Sequence, residues 1–148
     1  MATVIQKQPK SGGDLPKRQW LTIGLAAALG SVAAVLVAQA IALAIWPDLA
    51  RFKPLESYAR SALFTLIPAL GATAVFAWLA TRKDDPASSF KKIAAVVLLL
   101  SFIPDYDYVL PVAHRTLLAS SVAAFLHVVA AAVTVSVIVN GYRRLSAG

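Results

Sequence analysis

The chain has 148 residues, 59% of them hydrophobic, and carries 14 Lys and Arg against 7 Asp and Glu, a net charge of +7. With a mean hydropathy of +0.71, little chain is left for a soluble domain, and the absence of cysteine excludes disulfides, thiol catalysis and thiolate metal sites. So basic a soluble protein would suggest a nucleic-acid partner, but four long apolar runs assign the charge to membrane topology and attraction to anionic lipids, and no nucleic acid is expected.

Residues 1–19 hold Pro9, Ser11, Gly12, Gly13 and Pro16 among charged residues, the composition of a flexible basic tail. The first apolar run extends from Trp20 to Trp46, 27 residues, enough for a helix to cross a hydrocarbon core of about 30 Å. The triplet Ala38-Gln39-Ala40 imitates a signal-peptidase site, but the run is far longer than the h-region of about 7–15 residues in a signal peptide. Gly24, Ala27, Ala28, Gly30, Ser31, Ala34, Ala38 and Ala42 recur every three or four residues. Such a stripe lets helix backbones approach closely, and Gly24 and Ser31 are candidate contacts with a partner protein. Gln39 is the strongly polar group of this span, an amide expected to bond across to a neighbouring helix, with ligand contact as the alternative.

The second span is expected over 58–81. Pro68 removes the donor for the Phe64 carbonyl, so a kink is expected there, bracketed by Thr65 and Gly71. Arg60 lies one turn inside the start, where its stem can snorkel to the headgroups. The third span, 88–103, is short: Pro104 ends it, and about 16 helical residues give roughly 24 Å. It either stands upright or leaves the following segment to finish the crossing. That segment, Pro104 to Pro111, contains Asp105, Tyr106, Asp107 and Tyr108 and is expected as a turn at the outer interface, the depth that tyrosines favour. Asp105 is expected to cap the turn and Asp107 to pair with Arg115. A protein-docking epitope made of Asp105, Tyr106, Asp107 and Tyr108 is the alternative, and two carboxylates fall short of the six to eight oxygens of a calcium site.

The fourth span, 116–142, carries the residue of most interest. His127 lies 12 residues after Arg115 and 16 before Arg143, close to the bilayer midplane, where an ionisable group is a functional hypothesis by default. Thr116, Ser120, Ala123, His127, Ala130, Ala131 and Thr134 share one helical face that must look into the bundle. The expected role is an interhelical polar contact, with Gln39, Thr65 or a carbonyl freed by Pro68 as partner. A proton relay and an axial haem ligand are the sharper alternatives; no cofactor and no metal is expected. Residues 144–148 form a short tail.

Ten of the 14 basic residues fall in the N-terminal tail, the second connection and the C-terminus, and four, Arg51, Lys53, Arg60 and Arg115, in the first and third connections. The positive-inside rule then places both termini in the cytoplasm. Pro47-Asp48 with Pro54 recurs as Pro104-Asp105 with Pro111 at an offset of 57, which suggests two tandem helical hairpins.

A basic tail, a proline in the second span, a third span ending Leu100-Ser101-Phe102-Ile103-Pro104, and a threonine-opened fourth with Phe125-Leu126-His127-Val128-Val129-Ala130 together resemble a family of small prokaryotic four-helix membrane proteins catalogued as a domain of unknown function. The resemblance covers residues 18–143. It matches His127 to a position where Met-His is common, with Leu126 here in place of the methionine, and it implies architecture without a mechanism. The expectation is therefore an all-α, integral membrane four-helix bundle in a prokaryotic cytoplasmic membrane. It is read as noncatalytic, an accessory or scaffold subunit that contacts other membrane subunits or its own copies. The alternative is a small oligomeric proton-linked transporter or channel using His127.

Overall fold

The computed structural model describes residues 15–107 and 111–147; residues 1–14 of the expected tail, and Tyr108, lie outside them. The chain is all-helical within that range: α1 is Lys17–Ile45, α2 Tyr58–Ala80, α3 Pro86–Ser101, α4 Ile103–Tyr106 and α5 Leu117–Ser146, with a 3-10 turn at Pro47–Arg51. α1, α2, α5 and the stretch Pro86–Tyr106 are each long and apolar enough to cross a membrane. This is a multi-pass membrane protein whose natural solvent is the lipid bilayer.

Local chemistry sets the helix boundaries. The Ser57 hydroxyl accepts the Arg60 N–H at the start of α2, an Asp85 carboxylate oxygen accepts the Ser88 N–H at the start of α3, and the Thr116 hydroxyl accepts the Ala119 N–H at the start of α5, each satisfying a donor the helix leaves open. Pro16 precedes α1, and Pro47 ends it because proline cannot continue the backbone ladder. α2 runs unbroken from Tyr58 to Ala80 through Pro68. α5 extends through Ser146 and holds Arg143 and Arg144 in its last turn, where cations offset the negative end of the helix dipole.

α1 is the central member, packed along α2 on one side and α5 on the other. Its small residues make that possible: Gly24, Ala27, Ala28 and Ser31 are buried, and a Cβ added at Gly24 would lie 3.2 Å from the Thr73 methyl of α2. The Ser31 hydroxyl returns to the Ala27 carbonyl of its own helix, so its polarity is satisfied without a neighbour.

Two cores lie at opposite ends of this contact. Near the termini, Ile23, Phe76, Leu79, Phe90 and Ile138 pack together, and the Phe76 ring meets Phe90 and Tyr142 edge-on at 5.0 and 5.1 Å while Trp20 stacks on Tyr142. At the other end, Phe52 and Leu55 of the first connection fold back over Val35, Ala42, Ala119 and Leu126. Leu21, Leu25, Leu29, Leu63, Ile67 and Phe125 point outward, the arrangement that lipid selects and water would punish.

The close approach of α1 and α2 yields a test. Gly24→Leu is expected to destabilise the detergent-solubilised protein by about 1–3 kcal/mol through overpacking, whereas Gly71→Leu, at an exposed site with nothing within 4 Å of its Cβ, is expected to leave the melting temperature near that of the parent. Equal melting temperatures for both variants would refute the packing role of Gly24.

Candidate functional site

α3 differs from the other spans in how it is held. At its start Ala87 and Phe90 are buried against the aromatic core, and at its far end α4 is tied to α5. Between these anchors Val96, Val97, Leu99 and Leu100 are exposed. A cleft of ≈ 960 Å³ opens beneath this strap, between α2, α3 and α5. Its walls are mainly apolar and often small, with Pro68, Ala72, Ala94, Ala130 and Ala131 among them. Phe64 lines it and is nevertheless 71% exposed, so the cleft communicates sideways with the bilayer.

The polar end of the cleft is built by α4. Sixteen residues of α3 rise about 24 Å, short of a hydrocarbon core of about 30 Å. α4 continues the crossing, and the 21 residues Pro86–Tyr106 together are long and apolar enough to span. Pro104 opens the single turn Ile103–Tyr106, which carries Asp105 inward to 6% exposure. The Ser120 hydroxyl donates to the Asp105 carbonyl at 2.6 Å, the Tyr106 hydroxyl lies 3.1 Å from that of Ser121, and the Arg115 Nη2 donates to the Pro104 carbonyl at 3.4 Å. His114, at φ 58°, occupies the left-handed region uncommon for residues other than glycine where the chain reverses into α5.

Those contacts bring His127 Nε2 to 3.1 Å from Asp105 Oδ2. No well-angled hydrogen bond reaches Oδ2, so the pair is in contact but off line. His127 lies ten residues into α5, about 15 Å along the helix, with 42% of its side chain open on the cleft side. Asp105, Arg115, Arg60 and Lys53 line the same cleft, all toward the end of the bundle away from the termini.

The structure separates several residues that the sequence reading grouped. Gln39 is fully buried, but its Nε2 donates to the Leu55 carbonyl at 2.9 Å, securing the first connection rather than His127. The Thr65 hydroxyl donates to the Ser61 carbonyl of its own helix at 2.7 Å. Neither is the imidazole partner; Asp105 is. Asp105, expected in an outer turn, is buried beside His127. Tyr106 stays partly exposed beside Ser121, and Asp107 is half-buried at the end of α4. Gly24 and Ser31 face the interior of the bundle. In the two segments related by the offset of 57, Pro47-Asp48 and Pro104-Asp105 both occupy short helical turns, yet the Asp48 side chain is 94% exposed while Asp105 is buried.

The sequence reading missed the His127–Asp105 pair and the cleft. The one available signal was the length of the third span, which leaves the following segment to finish the crossing. No curated protein and no solved structure matches the chain. The model of a family of unknown function, DUF6069, matches residues 15–144, from the residues before α1 almost to the end of α5. The chain belongs to that family of unknown function, and among its described residues four helical stretches are long and apolar enough to cross a membrane.

Proposed function

We propose that this protein is a noncatalytic membrane subunit that holds a hydrophobic ligand within the bilayer and serves as an accessory component of a larger membrane complex, or of an assembly of its own copies. The cleft beneath α3 carries this reading. Its volume, ≈ 960 Å³, falls at the upper end of the range of about 300–1,000 Å³ typical of small-molecule sites. Its walls are apolar with a few polar groups gathered at one end, the distribution that fixes a ligand's orientation. Purification in mild detergent from the native membrane, with mass spectrometry of everything eluting together, is expected to yield a stoichiometric protein partner. A monodisperse lone protomer would overturn the accessory role.

A second reading follows from the His127–Asp105 contact. An imidazole and a carboxylate 3.1 Å apart in the wall of an intramembrane cleft can hand a proton between them, as a proton-linked transporter or channel requires. In vesicles containing the wild-type chain, a trapped pH-sensitive dye should report faster collapse of an imposed proton gradient than in protein-free vesicles, and His127→Ala should restore the protein-free rate. Wild-type vesicles no leakier than empty ones would remove this reading.

The proposed setting is a prokaryotic cytoplasmic membrane with both termini in the cytoplasm, supported by the ten-to-four division of basic residues between the two faces. Because the chain has no cysteine, single replacements report topology directly. A membrane-impermeant maleimide applied to intact cells, with the outer membrane permeabilised where one is present, should label Asp48→Cys and spare Ser146→Cys; the reverse pattern would invert the orientation.

A further inference from the structure

The shape and charge of the cleft point to a particular occupant. Arg60 and Val75 both line it, and the fifteen helical steps from one to the other correspond to about 22 Å. The space is therefore long, runs with the helices, and opens sideways past Phe64. A compact polar solute would leave most of such a wall unsatisfied, whereas an acyl chain entering from the adjacent leaflet matches both its length and its chemistry.

The end of the cleft away from the termini is cationic. Lys53, Arg60 and Arg115 line it, against Asp105, which is turned to His127, and Glu56, which pairs with Arg60. Arg60 is fixed in place, because its Nη1 donates to Glu56 Oε1 at 2.9 Å and to the Lys53 carbonyl. Both of those bonds use one nitrogen of a guanidinium that has five donors, and the planar fork suits a phosphate. The three cations come from the first connection, the first turn of α2 and the segment before α5, so they converge on one mouth from separate parts of the chain.

We propose that the cleft binds an anionic phospholipid, with acyl chain along Pro68, Ala94 and Ala131 and phosphate among Lys53, Arg60 and Arg115. This rests on the ligand-holding reading and identifies the ligand class. The bilayer supplies such a molecule at the open side of the cleft. The apolar wall takes up its chain, and the basic mouth distinguishes an acidic headgroup from a zwitterionic one.

The test is native mass spectrometry of the full chain released from membranes of mixed phosphatidylglycerol and phosphatidylethanolamine, with a long-chain fatty acid added in a parallel sample. The wild type should retain one phosphatidylglycerol in preference to both alternatives. Lys53→Gln with Arg60→Gln should reduce the preference over phosphatidylethanolamine by about five-fold per cation removed. Ala131→Trp, which fills the cleft, should abolish retention, while Ala132→Trp on the exposed side of α5 should preserve it. If Ala131→Trp does not fold, the charge variant decides alone. Equal retention of phosphatidylethanolamine, or preference for the fatty acid, would overturn the anionic phospholipid while leaving a hydrophobic-ligand site standing. Retention of no lipid by the wild type, or retention indifferent to Ala131→Trp, would overturn both.

Discussion

The length of α3 is the constraint from which the polar architecture follows. A helix about 6 Å short of the hydrocarbon thickness leaves α4 to complete the crossing, and the break between them frees N–H and C=O groups that each cost several kcal/mol in hydrocarbon if unsatisfied. The short helix α4 answers that problem locally. Its Asp105 and Tyr106 amides return to the Phe102 carbonyl, and the Pro104 and Asp105 carbonyls are met by Arg115 and Ser120. Interrupted backbone is tolerated in a span where protein surrounds it or where it lines a cavity, and Pro104 and Asp105 line the cleft. Asp105 is drawn inward as a consequence, and His127 is the group placed to meet its carboxylate.

The two sides of the bundle use small residues in opposite ways. Along α1, Gly24, Ala27, Ala28 and Ser31 let backbones approach until Gly24 touches Thr73, and no space remains. Along the cleft, Ala72, Ala94, Ala130 and Ala131 stand on helices that do not close. Membrane helices gain little from hiding apolar surface from lipid, so close packing must supply their association. α1, α2 and α5 obtain it over most of their lengths, whereas α3 obtains it chiefly at its two ends.

What the sequence disclosed and what it concealed divide along the same line. Four spans, the threonine that opens the fourth, the short third helix and the inward face of Ser120, His127 and Thr134 are local or periodic properties, legible from residue type and spacing. The partners of Gln39 and His127 are not, because each depends on how a connecting segment folds back. Leu55 reaches Gln39 only because Phe52 and Leu55 cap the bundle, and Asp105 reaches His127 only because α4 turns inward. A lone polar residue in a span announces that it needs a partner without saying which, and the nearest polar groups on neighbouring helices, such as Thr65, can be satisfied by their own backbone. The cleft was hidden for a related reason: an alanine on a helix reads the same whether its neighbour is touching or absent.

What keeps the cleft open is therefore the more telling question. Phe76 and Phe90, ring against ring at 5.0 Å, set the separation of α2 and α3 at one end, since two buried aromatic rings cannot be compressed to the spacing that alanines would allow. At the other end α4 occupies the ground between α3 and α5, and its bonds to Ser120 and Ser121 hold it there. With both ends propped, the middle of α3 cannot approach α2 or α5 without breaking one prop, and the alanines between them face space instead of one another. Larger side chains at those positions would fill that space from within, as Phe76 does at the aromatic end. The chain instead combines rigid spacers at the ends with small residues between them, and places its His127–Asp105 contact and its basic mouth along the resulting opening. That combination favours a binding site over a packing defect, because a defect would require neither the propping nor the convergence of charge.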